Sequence, residues 1–170
     1  AEAEASGRAV FAAMEGSRPV LAEVQALAGQ ETAGNPRRSI VGWDNARLSM
    51  LLAVFDARCG LRFGMRDVYL SVTGGYRMAE PAGDLAAAAA LASALLDKPF
   101  PAGSVFFGEV ALSGAIRPVG RIEPRLREAA RLGFSRAFVP AGAPDTVDGM
   151  AVHGLSRLQD LVDVLGGDSE

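Results

Sequence analysis

Apolar and polar residues alternate near the start of the chain. In the run from Val20 to Ala26 every second residue is apolar, which is the period of a β-strand with one buried face. Another apolar run begins at Ala9, and the polar residues 15–18 separate the two runs. The pattern predicts that the fold begins with an antiparallel hairpin.

Later segments have the spacing or the end signals of helices. Apolar residues recur three or four positions apart in residues 48–59, directly before Gly60, and again in residues 122–130. Pro81 opens an alanine-rich segment, and proline favours the first turn of a helix. We predict helices in these three segments and a fourth helix over residues 156–165.

Short runs rich in β-branched and aromatic residues lie between the predicted helices. Residues 67–73, 137–139 and 150–153 predict strands, and residues 104–119 predict two strands joined in a hairpin by a Ser-Gly turn. Residues 29–39 are rich in Gly, Asn, Pro and Arg and predict a loop. Because strands and helices are mixed without strict alternation, we predict an α+β fold.

Length and composition predict one domain. The 170 residues are 49% hydrophobic and 22% charged, which suits a single domain with its own core. Residues 1–8 are small and polar, so we expect a linker remnant from a longer protein followed by one domain over residues 9–170. The longest apolar stretch, residues 85–96, is too short to cross a bilayer and predicts a buried helix. A single cysteine, Cys59, excludes an internal disulfide and indicates a cytoplasmic protein.

The sequence lacks the residues for a nucleotide-binding P-loop and for a usual zinc site. No phosphate-binding P-loop is possible, because Lys98 is the only lysine and no such glycine-rich motif precedes it. One histidine and one cysteine do not form a usual zinc site, and we interpret His153 as a packed or edge residue. We therefore expect no cofactor and no metal in this chain.

The basic residues are almost all arginine, since Lys98 leaves 16 arginines among 17 basic residues. A GC-rich genome explains this bias, and so does a phosphate-binding surface. One candidate DNA-contacting patch lies on and before the helix over residues 122–130, on the arc opposite its apolar residues: Arg117, Arg121, Arg125, Arg127 and Arg131. The alternative is a solvated helix face that Glu123 and Glu128 partly neutralise. Arg37, Arg38 and Arg47 form a second possible cluster.

Three segments carry a resemblance to known proteins: residues 37–52, residues 74–90, and FGEVALSGAIRPVGRIEPRLREAA at residues 107–130. They resemble the C-terminal domain of the RadA (Sms) family of bacterial DNA-repair proteins over nearly the whole chain. The same segments resemble the proteolytic domain of Lon proteases. The resemblance implies a Lon proteolytic-domain-like fold, also called ribosomal protein S5 domain 2-like, with mixed strands and packed helices.

The resemblance also implies partners. Proteins of the RadA family have a zinc finger and a RecA-like ATPase core, so zinc, ATP and magnesium are expected only for domains absent from this sequence. The family implies an ATP-hydrolysing motor that processes recombination intermediates and promotes branch migration on single- or double-stranded DNA, together with a RecA-type recombinase. It implies a ring, expected to be a hexamer, and no membrane. Trp43, Phe63 and Phe100 are candidate subunit contacts, with burial in the core as the alternative.

The Lon resemblance also identifies where a catalytic pair would lie. The serine-bearing D-G-P-S-A-G turn of Lon matches Ala79–Asp84, and the lysine-bearing G-G-L-K-E-K run matches Gly120–Arg125. Ala82 therefore occupies the serine position and Arg125 the lysine position. The resemblance implies a non-catalytic module for oligomerisation and DNA contact. An active Lon-type serine peptidase with another nucleophile and a plain interaction domain without a DNA role remain as alternatives.

Overall fold

Residues 5–166 form one large mixed β-sheet, a small two-stranded ribbon and four α-helices. A computed structural model describes residues 5–166. The strands are β1 (Arg8–Glu15), β2 (Arg18–Glu31), β3 (Arg38–Val41), β4 (Arg66–Val72), β5 (Ser104–Phe106), β6 (Glu109–Val110), β7 (Ile116–Arg117), β8 (Arg136–Pro140), β9 (Thr146–Val147) and β10 (Met150–Leu155). The helices are α1 (Asn45–Val54), α2 (Asp84–Leu96), α3 (Ile122–Arg131) and α4 (Leu158–Gly166). A π-helical turn (Phe55–Cys59) follows α1, and a 3₁₀ turn (Pro81–Gly83) precedes α2.

The large sheet has the strand order β3-β4-β2-β1-β5-β8-β10-β9. Its β1–β2, β2–β4 and β9–β10 pairs are antiparallel, whereas β3–β4, β1–β5, β5–β8 and β8–β10 are parallel. Glu15 lies opposite Arg18, so the hairpin predicted at the start of the chain is confirmed. The prediction that the fold contains both strands and helices is also confirmed, and the large sheet has both parallel and antiparallel pairs.

Helix α2 lies at the centre of the core. Residues 85–92 are all fully buried, and the helix packs against β1 and β2 and contacts α1 and α4. A helix that is apolar on every side requires neighbours on every side. Alanine side chains allow those neighbours to approach closely. The predicted buried helix after Pro81 is therefore confirmed.

Three aromatic residues proposed as subunit contacts belong to the interior. Trp43, Phe63 and Phe100 expose only 4%, 2% and 6% of their surface. Phe63 packs beside Phe55, with ring centroids 5.7 Å apart, and Phe100 makes an edge contact with Phe106 at 5.0 Å. Their assignment as contacts between copies was wrong, because the fold itself already covers them.

The predicted loop over residues 29–39 and the predicted hairpin over residues 104–119 need correction. The predicted loop over residues 29–39 contains the end of β2 and the start of β3, which pairs with β4. The predicted hairpin over residues 104–119 is limited to β6 and β7, whereas β5 joins the large sheet between β1 and β8. After β5, Gly108 accepts a hydrogen bond from the Leu85 N–H in α2 and donates one to the Ala82 carbonyl in the 3₁₀ turn.

The folded part begins before the predicted boundary at residue 9. Strand β1 starts at Arg8, and Gly7 is buried, with its N–H donating to Ser93 Oγ at 2.8 Å. The predicted linker over residues 1–8 was therefore too long at its C-terminal end. Residues 1–4 and 167–170 of the predicted linker and domain lie outside the described residues.

Candidate functional site

The two positions singled out by the Lon resemblance lie at one pocket. Ala82, on the 3₁₀ turn, and Arg125, on α3, both line an open cavity of about 290 Å³. Its walls come from the 3₁₀ turn, β6, the β7–α3 connection and α3: Glu80, Pro81, Ala82, Glu109, Pro118, Val119, Gly120 and Arg125. The fold thus brings together residues that are 125 − 82 = 43 positions apart in the chain.

Arg125 is held inside the fold by hydrogen bonds to three segments. Its Nε donates to the Gly120 carbonyl at 2.9 Å, and its Nη1 donates to the Ala12 carbonyl at 2.8 Å. Its Nη1 and Nη2 also donate to Glu80 Oε2 and Oε1, at 3.3 and 2.6 Å. With 3% of its side chain exposed, Arg125 belongs to the interior. Its predicted place on the outward arginine arc was wrong.

Glu80 and two aromatic rings complete the surroundings of the Arg125 guanidinium. Glu80 Oε2 accepts a second hydrogen bond from the Met14 N–H at 2.9 Å, so this carboxylate joins the end of β1 to α3. The guanidinium carbon lies 6.0 Å from the Phe11 ring centroid and 5.5 Å from that of Phe107. Both distances fall in the range in which a cation is attracted to an aromatic face.

This arrangement limits what the pocket can do chemically. The Ala82 methyl group offers no nucleophile. A guanidinium stays protonated at any relevant pH, so Arg125 does not accept a proton from a neighbouring group. Ala82 and Arg125 therefore cannot act as a nucleophile and its base.

A second buried ion pair lies beside this pocket. Asp84, the first residue of α2, is fully buried and accepts hydrogen bonds from Arg47 Nε at 2.7 Å, from Arg47 Nη2, and from the Val110 N–H at 3.0 Å. Burial raises the pKa of Asp84, while the bonds from Arg47 and Val110 act in the opposite direction. The hydrogen bond to Asp84 raises the pKa of Arg47. A buried carboxylate requires such partners, and the acidic residue directly before a wholly apolar segment was the signal in the sequence.

The second arginine cluster considered from the sequence serves separate structural roles. Arg47 binds Asp84, whereas the Arg38 guanidinium donates to the carbonyl groups of Arg37, Gly64 and Arg66. Arg37 is exposed. These bonds join β3 to the start of β4 and to the loop before it, so Arg38 stabilises the sheet edge.

Four of the five candidate DNA-contacting arginines are exposed: Arg117, Arg121, Arg127 and Arg131. Arg127 lies 3.6 Å from Glu123, and Arg131 forms two hydrogen bonds with Glu128, at 3.0 and 2.7 Å. These bonds lower the pKa of Glu128 and raise the pKa of Arg131. Within residues 5–166, the side chains of Arg117 and Arg121 make no ion pair.

Metal-binding and membrane-spanning features are absent from the described part of the chain. Residues 5–166 contain no group of three or more His, Cys, Asp or Glu residues that could hold a metal ion. None of their helices is both long enough and apolar enough to cross a membrane. His153 is exposed and stacks on Phe138, with ring centroids 5.1 Å apart, as expected for a packed edge residue.

Comparison with known proteins identifies relatives along nearly the whole chain. A family model described as subunit ChlI of Mg-chelatase matches residues 31–143. The DNA repair protein RadA of Brucella abortus (strain 2308) is 56% identical over 137 residues, which are 81% of this chain and 29% of that protein. RadA of Rickettsia felis is 48% identical over 94% of this chain and 35% of that protein. RadA of Streptococcus pyogenes serotype M1 is 43% identical over 95% of this chain and 36% of that protein.

These matches cover most of this chain but only part of each relative. The chain spans about a third of the length of the curated RadA proteins it matches. The resemblance to RadA seen in the three segments is confirmed by identities of 43–56%. The family match extends over two thirds of the sequence, from the end of β2 to the residues just after β8. The chain therefore belongs to the family described as subunit ChlI of Mg-chelatase, and it is similar to RadA proteins over nearly its whole length.

Proposed function

We propose that this chain is a non-catalytic, Lon-like module of a RadA-type DNA-repair protein, and that it contributes self-association and a DNA-contacting surface. One observation carries the proposal: Arg125 lies at the same pocket as Ala82, with its guanidinium bound to Glu80 and to two backbone carbonyls. The pocket holds a structural ion pair where a Lon peptidase would need a serine and a neutral lysine. The relatives are named as DNA-repair proteins, which supports the DNA role.

The proposed DNA surface consists of the exposed arginines on and before α3, namely Arg117, Arg121, Arg127 and Arg131. Arg117 and Arg121 have no competing carboxylate bond within the described residues, whereas Arg127 and Arg131 would exchange theirs for phosphate. The chain has a net charge of −3, so a local basic patch is required for attraction to DNA.

The rest of the proposed activity belongs to a longer protein. We propose that the parent is an ATP-driven DNA motor that processes recombination intermediates and promotes branch migration. Zinc, ATP and magnesium would bind its other domains. Its partners would be a ring of its own copies, expected to be a hexamer, and a RecA-type recombinase. The fact that the chain spans about a third of each RadA relative supports the presence of further domains.

The test compares DNA binding by the chain and by an Arg121→Ala plus Arg127→Ala variant. Fluorescence anisotropy with labelled single- and double-stranded DNA over a salt series should show weaker binding, similar for all base sequences, because phosphate contacts carry no base information. The slope of log affinity against log salt should fall by roughly one unit for each lost contact.

The matched control is Arg62→Ala, which removes an arginine that is 81% exposed and lies outside α3. This variant should bind DNA like the parent. Circular dichroism should show all three proteins folded, since Leu126 and Ala129, which anchor α3 to the core, are unchanged. Equal binding by the double variant and the parent across the salt series would reject the patch and favour a solvated helix face.

A further inference from the structure

A small polar pocket lies on the turn between β6 and β7, where this turn meets the start of α4. Its lining consists of Arg58, Ser113, Gly114, Arg157 and Gln159. Its volume is about 110 Å³, which is the space of roughly three to four water molecules. Every lining side chain is polar, and none is acidic. The pocket uses no residue of the Ala82 pocket or of α3.

Arg58 reaches the pocket from the π-helical turn after α1. Its aliphatic part lies against Gly114, where an added Cβ would be 3.3 Å from Arg58 Cγ. Gly114 is buried and has a φ of +88°, so a larger residue would be strained as well as crowded there. Arg58 Nε makes a long contact of 3.4 Å with the Leu112 carbonyl. The side chain is thereby held over the turn, and its terminal nitrogens form no hydrogen bond or ion pair within the described residues.

Arg157 reaches the same pocket from the residue before α4. Its side chain is exposed and forms no hydrogen bond or ion pair within residues 5–166. The nearby carboxylate of Asp160 accepts the backbone N–H groups of Ser156 and Arg157, both at 3.0 Å. The next carboxylate, Asp163, accepts from Gln159 Nε2 at 2.8 Å. Both acidic groups therefore already have partners.

Ser113 provides a third donor at the mouth of this pocket. Its Oγ accepts a hydrogen bond from the Ala115 N–H at 3.3 Å, so its hydroxyl proton is free to point elsewhere. Two arginines from separate elements and one serine thus line a space whose lining includes no acidic residue. Guanidinium groups match the oxygens of a phosphate in geometry and charge, and an anion between them removes their mutual repulsion.

We propose that this pocket binds a phosphate group through Arg58 and Arg157, with the Ser113 hydroxyl as a third donor. The phosphate is either part of a DNA backbone or part of a free phosphate compound such as a nucleotide. If it is DNA, the site extends the surface proposed above, because Gly114 and Arg117 are three residues apart in the chain, a span of at most about 10 Å.

The test is a titration of inorganic phosphate into the isotopically labelled chain, followed by the amide signals of Ser113, Gly114 and Arg157 in NMR spectra. Chloride at the same ionic strength is the control for a general salt effect. Phosphate should produce saturable shifts at these amides, and chloride should not. An Arg58→Gln plus Arg157→Gln variant should bind at least about tenfold more weakly, because each lost bond is charge-assisted. Arg62→Gln, at an arginine outside the pocket, should bind phosphate like the parent.

Competition with duplex DNA distinguishes the two sources of phosphate. Displacement of phosphate by DNA identifies the backbone as the ligand, and unchanged phosphate binding in DNA-saturated protein identifies a free compound. Shifts that do not saturate, equal shifts with chloride, or equal binding by the double variant would overturn the site. The Arg121→Ala plus Arg127→Ala variant keeps the pocket, so it should retain the phosphate shifts even if the α3 patch does not bind DNA.

Discussion

Arg125 shows how one buried cation can be accommodated in a small domain. Removing a charge from water costs several kcal/mol, and the cost is offset only when the charge has both an opposite charge and hydrogen-bond acceptors. Arg125 has the Glu80 carboxylate, the Ala12 and Gly120 carbonyls, and two aromatic rings. The same contacts tie β1, the 3₁₀ turn and α3 together. Its role is therefore to connect elements of the fold.

Replacing Arg125 by methionine should destabilise the domain. The Arg125→Met variant keeps an apolar stem but leaves Glu80 with only the Met14 N–H, and the Ala12 and Gly120 carbonyls lose their bond to Arg125. We expect the free energy of unfolding in urea to fall by roughly 2–3 kcal/mol, below the usual cost of breaking a buried pair because Glu80 is 26% exposed. The matched control is Arg127→Met, at a position where the side chain is 64% exposed. This substitution should change the free energy of unfolding by no more than about 0.5 kcal/mol. Equal effects of the two substitutions would contradict a structural role for Arg125.

Restoring a serine at position 82 should not produce a peptidase. In an Ala82→Ser variant the pocket offers the new hydroxyl no neutral amine, and the Arg125 guanidinium, which holds the Glu80 carboxylate, does not take its proton. Even Ala82→Ser with Arg125→Lys should stay inactive, because Glu80 favours the protonated form of an amine placed beside it. The measurement is casein cleavage together with labelling by a serine-directed covalent inhibitor, with the parent chain as the control. Casein cleavage that co-purifies with either variant would show that the pocket still supports catalysis.

The position of Arg125 on α3 explains why its burial was missed from the sequence. At 100° per residue, Arg125 lies only about 40° from Ala129, which is at the edge of the buried arc. Arg127 and Arg131 lie much farther from that edge, and they are exposed. The resemblance to Lon singled out Arg125 and Ala82, which line one pocket, but the partner Glu80 depends on how three separate segments pack. Helical spacing alone contains no information on such packing.

Secondary structure was predictable where it follows local pattern. The β1–β2 hairpin, the end at Gly60 of the π-helical turn after α1, and α2 after Pro81 were all found from spacing and turn residues. Strand β3 is only four residues long and follows a segment rich in Gly and Pro, so it gave a loop-like signal. Strand β5 was assigned to the wrong partner because its three buried residues do not indicate which strand lies beside them. Its pairing with β1 and β8 joins residues about 95 and 30 positions away, which no local pattern encodes.

Helix α2 should tolerate almost no added volume. Ala89 is fully buried within the run of alanines that packs against the sheet. Ala89→Leu should lower the free energy of unfolding by about 1–3 kcal/mol, because extra methylene groups in a filled core displace their neighbours. Ala53→Leu makes the same change at an exposed position of α1 and should be close to neutral. If both variants unfold at the same urea concentration, the core around α2 is loosely packed.

Most apolar side chains of the described residues are buried in one core, and few large ones are exposed. A single cluster of buried residues extends through all the helices and most strands, as the composition predicted. The large apolar side chains that remain exposed are Leu27, Val41, Met65, Leu96, Leu112 and Leu132. Leu27 and Val41 belong to strands on either side of β4, and the others lie elsewhere along the chain. Self-association through apolar contact should therefore not weaken in added salt, whereas DNA binding through arginine should weaken.

The self-association that we propose can be measured by light scattering at increasing protein concentration. We expect a mass that is a multiple of 17.6 kDa at high micromolar concentration. Because the net charge of −3 makes copies repel one another, added salt should leave the assembly unchanged or strengthen it, whereas DNA binding should weaken. The Arg121→Ala plus Arg127→Ala variant serves as the control, since it lacks part of the DNA patch and should assemble like the parent. A strictly monomeric mass at every salt concentration would mean that any ring is built by the parts of a RadA-type protein that lie outside this chain.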